Sequence, residues 1–422
     1  MMIETGTQDE GLAPGRLYYG WVVLGTSFVM VTVATGMLLS FGVFLKPLEE
    51  ALGWSRTALS GAVLLNWTLY GVSAFVFGWL SDRVGTRLVT LSGGLLYGAS
   101  LLATSQSERL WHYYLAFGVA SGIGNAAFYV PLTSTATRWF QRGRGFAVAV
   151  ISCGNGAGIL VMAPLVRWLI SAYGWRTSYA LLGLLAWAAL LPGSLLLRDS
   201  PPQIGLSLRG ASAGPGPEPG SEPARVRGPA RARDLWRCRS FWVLALMHFF
   251  CCSSHSGPLI HLAAYGTDLG LSKSAAAAAL GLSGATSVGG RIGTGLLADR
   301  IGSLRTLIGT LVAQTGAILA YSVMRGSLVA FDLVSAGFGI AYGGVMPLYA
   351  LLARETFGQR TMGAAYGGVF FISTLGMGLG SYLGGLLFDI RGSYALLYPA
   401  SALMGVAALG LALMHRRSQS KP

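Results

Sequence analysis

Twelve stretches of this 422-residue chain are long and apolar enough to cross a lipid bilayer, and that pattern removes most folds from consideration. A hydrocarbon core needs about 20 consecutive apolar residues per helix and leaves no water to satisfy open backbone groups. The runs fall at about 18–45, 57–80, 86–106, 110–137, 143–172, 175–197, 239–267, 274–297, 304–323, 328–353, 361–387 and 392–415. Hydrophobic residues make up 53% of the chain and charged ones 11%, whereas a soluble domain carries about a quarter charged residues. The expectation is an all-α integral membrane protein with twelve transmembrane helices. Sixty-one glycines without a collagen-like period fit closely approaching membrane helices.

A net charge of +14 would raise nucleic-acid binding in a soluble protein. Its placement argues otherwise, and no nucleic acid is expected as a partner. Along the assigned spans, 21 of the thirty Lys and Arg residues fall on one side of the membrane, eight of them between Arg198 and Arg239. Seven fall on the other side, and two, Arg167 and Arg291, lie inside spans. Basic residues accumulate on the cytoplasmic side, so a multi-pass protein of the inner membrane with both termini in the cytoplasm is expected. The four cysteines have no paired spacing and offer neither a disulfide framework nor a metal site; no cofactor is expected. The apolar run after the polar first seventeen residues is too long for a signal-peptide core, so no cleavage is expected.

The pattern breaks at residues 198–238, where the Pro- and Gly-rich stretch from Arg209 to Arg225 cannot bury a core. This reads as a disordered cytoplasmic linker between two six-helix parts, 1–197 and 239–422. The parts echo one another. Gly78, Asp82, Arg83 and Gly85 follow the second helix, with Arg87 just beyond; Gly295, Asp299, Arg300 and Gly302 follow the eighth. The four matched positions are each offset by 217 residues (299 − 82, for example). Tyr179-Ala-Leu-Leu recurs as Tyr394-Ala-Leu-Leu, and Pro131-Leu132 as Pro347-Leu348. Two related halves describe a pseudo-twofold transporter with its site between them.

Within the eighth helix, Ser283, Ser287, Arg291 and Thr294 recur at helical spacing, joined by Thr286 and Gly290, and form one polar stripe. Arginine at the centre of a membrane helix costs about 2.5–3.5 kcal/mol on insertion scales, so such a residue normally faces a protein interior or a wet cavity. The stripe therefore reads as the wall of an aqueous pathway, with Arg291 as its anion-binding group.

The duplicated Gly-x-x-x-Asp-Arg-x-Gly turn resembles the signature of the major facilitator superfamily, and the likeness covers nearly the whole chain. The resemblance implies the twelve-helix major facilitator fold and a gating role for both turns. Gly78 and Gly295 would let helices approach closely, and Asp82 and Asp299 would cap a helix or latch an arginine. Three stretches look like the monocarboxylate-porter and oxalate–formate-exchanger branch: Tyr18-Tyr-Gly-Trp-Val-Val, His261 to Gly270, and Gly290-Arg291 with Arg300. In that branch the eighth-helix arginine is taken to bind the substrate carboxylate, a role that falls here to Arg291. Animal monocarboxylate porters carry an aspartate one turn before this arginine, where this chain has Ser287, and a first-helix lysine where it has Leu39. The oxalate exchanger adds a lysine in helix eleven, but residues 361–387 contain neither Lys nor Arg. One cation suits one carboxylate, since a dicarboxylate would leave a charge unpaired in a site of low dielectric.

The pocket walls follow from helical spacing: Asn125 and Tyr129 (with Ser121) from helix four, Tyr342 and Met346 (with Phe338) from helix ten, and Tyr366 and Phe370 from helix eleven. Tyrosine hydroxyls could bond the second carboxylate oxygen while Phe370, Met346 and Leu39 enclose a short alkyl chain. Asn155 reads as a bond between helices. No Asp or Glu lies deep in a span, so the candidates for proton coupling are His255 and Asp332, the latter about five residues inside helix ten. The expected function is secondary transport of a small monocarboxylate of the lactate or pyruvate class by proton symport, with the protein acting as a monomer in the bilayer. The alternatives are an organic-anion exchanger, a porter of sugars or drugs, and a non-transporting sensor. No protease, hydrolase or nucleotide-binding motif points to an enzyme.

Overall fold

A computed structural model describes residues 18–140, 144–199, 232–324 and 327–419, and among these there is no β-strand. Most of the linker expected at 198–238 lies outside the described residues. The helices in chain order are Tyr19–Leu52 (α1), Arg56–Val84 (α2), Thr86–Ser105 (α3) and Leu110–Trp139 (α4). The Arg144–Leu196 helix turns at Gly174 (φ 74°) and makes two crossings, residues 144–173 (α5) and 175–196 (α6). Arg239–Asp268 (α7), Lys273–Ile301 (α8) and Ser303–Tyr321 (α9) follow. Leu328–Gly358 (α10), Ala365–Arg391 (α11) and Tyr394–Arg416 (α12) complete the chain. Ten segments have both the length and the hydropathy of a span. Gly174 splits one of them, and α8 has the length but is diluted by the polar stripe around Arg291. The described residues thus make twelve crossings.

The 217-residue offset extends into the backbone. Gly85 and Gly302 both sit at φ 90°, a left-handed conformation that side chains resist, which explains the last glycine shared by the two echoed turns. Ser55 accepts a hydrogen bond from the Ala58 N–H at the start of α2, and Ser272 accepts one from the Ala275 N–H at the start of α8 (272 − 55 = 217). Helices α4 and α10 break at matched places, residues 126–128 and Gly344 (344 − 127 = 217). The cause is local. Pro131 and Pro347 supply no N–H to the carbonyls four residues earlier, at Ala127 and Gly343, and their rings crowd those carbonyls. Broken backbone at membrane depth is tolerated where it is buried or lines a cavity.

The first six helices meet the last six along one end of the molecule. At the start of α2 the Arg56 guanidinium, 4% exposed, donates to Asp268 at the end of α7 and to the Tyr394 hydroxyl, both at 2.9 Å, and to Glu49 at 3.0 Å. It also lies 3.6 Å from the centre of the Phe388 ring. The Arg56 and Thr57 N–H groups donate to Asp389. Lys46 pairs with Asp268, and Lys273, the counterpart of Arg56 in the repeat (273 − 56 = 217), reaches Glu50 at 3.4 Å. Each half thus sends a cation at the start of its second helix to an acid of the other half. Beneath this network α5 packs on α8, where Gly284 faces the Gly156 carbonyl.

The opposite end is splayed. A Cβ at Gly289, Gly293 or Gly295 would meet nothing within 4 Å, and one at Gly78 would meet only Val130 of α4. The close approach expected at Gly295 is therefore absent in this conformation, although α8 still meets α10 there, where Thr294 donates to the Gly344 carbonyl. Asp82 pairs at 3.0 Å with Arg138, within the first six helices, and Arg83 lies over Trp79. Asp299 and Arg300 are exposed.

Gly284→Leu tests this packing. A Cβ there stands 2.7 Å from the Gly156 carbonyl oxygen, and overpacking of this kind costs about 1–3 kcal/mol. That cost falls on the state closed at the Arg56 end, so spin-label distances across that end should lengthen while the protein stays monodisperse. Unchanged distances would show that the seam does not hold the end shut.

Candidate functional site

Between the two sets of six helices lies a cavity lined by residues of both. Among the described residues Arg291 is its only Lys or Arg, and no Asp or Glu lines it. The side chain is 6% exposed, and one terminal nitrogen donates to the Ser287 hydroxyl at 2.7 Å and to the Ser287 carbonyl at 3.1 Å. Its Nε has no protein partner, and among the described residues no carboxylate pairs with the group. Half of a planar fork built to bind a carboxylate is thus held in place from behind, and the other half is left for a ligand.

The breaks in α4 and α10 set the walls. Tyr129 follows the first break, and Tyr342 and Met346 flank the second; all three line the cavity. Tyr129 stacks on Phe370 of α11 at 6.1 Å, and Tyr70 of α2 approaches the same ring at 6.4 Å. His255 of α7 stacks on Tyr342 at 5.7 Å, and its Nδ1 lies 2.9 Å from the Cys251 carbonyl oxygen. A carbonyl only accepts, so Nδ1 carries a proton, and in the neutral ring Nε2 keeps its lone pair. Leu39, Leu259, Val345 and Met377 supply an apolar side.

Of the residues expected from the sequence, Arg291, Leu39, Tyr129, Tyr342, Met346, Phe370 and His255 come together around this cavity. Ser287 stands behind it as the partner of Arg291. Asn125 is buried outside the lining with both amide atoms unbonded to protein, and Tyr366 backs Phe370 at 6.2 Å. Asp332 sits near the start of α10, away from the cavity. The rest of the polar stripe is a helix seam rather than a wall: Ser283 and Thr286 bond carbonyls of their own helix, and Thr294 bonds the Gly344 carbonyl. Asn155, read from the sequence as a bond between helices, lines the cavity with its Oδ1 unpartnered. Trp67, Tyr70, His248 and Cys252 also line it. His248 and His255, seven residues apart on α7, and Trp67 and Tyr70, three apart on α2, share helix faces, and that spacing was the available signal.

The Major Facilitator Superfamily model matches residues 23–381. The chain belongs to that superfamily. Among its relatives, monocarboxylate transporter 13 of Bos taurus is 26% identical over 394 residues, covering 93% of this chain and 88% of the relative. Monocarboxylate transporter 3 of Rattus norvegicus is 30% identical over 411 residues, covering 93% and 79%. A crystal structure of a bacterial homologue of the human lysosomal transporter Spinster, inward-facing and occupied, aligns over 96% of this chain and 98% of its own with a TM-score of 0.72 at 16% identity. This major facilitator protein is a multi-span membrane transporter and not an enzyme.

If Arg291 is kept for a ligand rather than for the fold, its burial without an acid partner is a cost to stability. Replacement by Leu should then raise the apparent Tm of the purified protein by a few degrees, read by thermal shift. A fall in Tm would instead make the guanidinium a structural strut.

Proposed function

We propose that this protein carries a small monocarboxylate of the lactate or pyruvate class across the inner membrane by proton symport, with Arg291 binding the carboxylate. The observation that supports this most is the half-engaged guanidinium in a cavity that no Asp or Glu lines among the described residues. A single cation balances one carboxylate and leaves the second charge of a dicarboxylate unpaired. Leu39, Met346 and Phe370 would enclose the short alkyl chain, and the Tyr129 and Tyr342 hydroxyls lie on the polar side of the same space. The names of the relatives point to the same substrate class.

His255 is the group best placed to take the proton, through the free lone pair on Nε2. The charge count favours coupling. With Arg291 alone the empty cavity carries +1; with a protonated His255 and a bound carboxylate it again carries +1. Loaded and empty forms then cross the low-dielectric interior at equal net charge. By the distribution of basic residues, the splayed end carrying the echoed turns faces the cytoplasm and the sealed Arg56 end faces outward. The structure then corresponds to an inward-facing state. Asp82 and Asp299 would take up their latching role in the opposite state, when the splayed end closes.

The deciding experiment is uptake of labelled lactate, pyruvate, acetate, formate and oxalate at two pH values. Lactate and pyruvate should enter faster at the lower external pH, with alkalinisation outside, and oxalate should not compete. Arg291→Lys keeps the charge without the fork and should lose about tenfold or more in kcat/KM. His255→Ala should retain lactate exchange and lose the response to the proton gradient. Wild-type counterflow without any pH response would make the protein an anion exchanger instead.

A further inference from the structure

The second intramembrane arginine, Arg167, is not used by the site described above. It lines a separate, half-open pocket at the sealed end, together with Lys46 of α1 and Lys273 of α8. Among the described residues the remaining lining, Gly42, Val43, Pro47, Ala263, Ala264 and Thr267, contains no carboxylate. Arg167 Nε is buried with no protein partner, and among the described residues no acid pairs with the side chain. The two lysines do have acids, but each pair crosses between the halves: Lys46 with Asp268, and Lys273 with Glu50. Asp268 is also shared with Arg56.

The position of the pocket gives this cluster its meaning. Leu39 of α1 and Leu259 of α7 line the central cavity; Gly42 and Val43 of α1 and Ala263 of α7 line the outer pocket. These positions are three or four residues apart on the same helices, so the two spaces are separated by one helical turn, about 6 Å. The plug between them is the contact of Gly42 with the Ile260 carbonyl, where α1 meets α7.

We propose that this pocket is an outer loading site for a small carboxylate, held by Arg167 with Lys46 and Lys273, directly above the plug that closes the central cavity. The ligand class and the outward direction rest on the function proposed above. A carboxylate bound there competes with Asp268 for Lys46 and with Glu50 for Lys273. It therefore loosens two ion pairs that tie the halves together, and arrival of the ligand itself favours opening toward it. The second arginine thereby gains a role that the central site does not give it.

Thr267→Cys places a thiol on the rim of the pocket, where Thr267 is part-exposed. Membrane-impermeant anionic and cationic methanethiosulfonates are applied from outside to cells making this variant, with the Thr267 protein as background. Relative to a free thiol, the anionic reagent should react about fivefold or more faster than the cationic one. Arg167→Gln, or Lys273→Gln on the exposed side, should lower that ratio toward one, and Arg167→Lys should keep it. Millimolar lactate should slow labelling in the Thr267→Cys protein and equally when Arg291→Gln is added, but not with Arg167→Gln. Equal reagent rates, or protection that vanishes with Arg291→Gln alone, would overturn the outer site. Normal lactate transport by Arg291→Gln would instead overturn the central one.

Discussion

A guanidinium buried in a membrane protein without an acid beside it is the constraint on which the rest of this structure depends. Arg291 cannot face lipid at acceptable cost, and it cannot be neutralised by deprotonation. It therefore needs a wet space in front and fixed acceptors behind. Ser287, one turn earlier on the same helix, supplies the acceptors from both its hydroxyl and its carbonyl. The space in front is provided by helices that break: Pro131 in α4 and Pro347 in α10 loosen the backbone where Tyr129, Tyr342 and Met346 enter the cavity.

The same local chemistry is used twice, and the duplication lets the molecule close at one end and open at the other. Arg56 and Lys273 begin equivalent helices, each capped by a serine one residue earlier, and each reaches an acid of the opposite half. The Arg56 guanidinium is held out of water and its pairing is strong only while it stays so, whereas the Lys273–Glu50 pair is exposed and worth little. Separated and hydrated, these charges lose little, because water replaces the partner. A seal of this kind can be reversible, unlike a packed apolar core. Arg56 is the most deeply buried member, and the Phe388 ring and the Tyr394 hydroxyl complete its surroundings. His261, bonded to the same Tyr394 hydroxyl and near Ser60 and the Ser381 carbonyl, ties α7 to both α2 and α11 beneath it.

The two intramembrane arginines share a logic. Among the described residues, each has an Nε without a protein partner and each lines a space with no carboxylate. They differ in company. Among the described residues Arg291 is the one permanent charge in a wall of aromatic, apolar and neutral polar groups, which suits a single carboxylate. Arg167 stands with two lysines near the surface, where hydration and counter-charges weaken any one contact but the combined field still gathers anions.

The amino-acid sequence by itself determined the all-helical membrane architecture, because no other arrangement satisfies the backbone of twelve apolar runs in lipid. It also determined the duplicated turns, since Gly85 and Gly302 occupy a backbone conformation that excludes side chains, and it singled out Arg291 by the cost of burying it. Part of the cavity wall was legible too, from helical spacing around the two prolines. Tertiary structure alone decided which face of each helix met which neighbour. The stripe through Ser283, Thr286 and Thr294 became a seam against α10, while Asn155 turned to the cavity instead of a helix contact. Periodicity gives a helix its polar side but not the partner that side will face, because a neighbouring helix and a water-filled cleft both accept small polar residues. Nor could spacing reveal which end was shut. That depended on ion pairs between residues 212 and 223 positions apart in the chain, which only the folded molecule brings together.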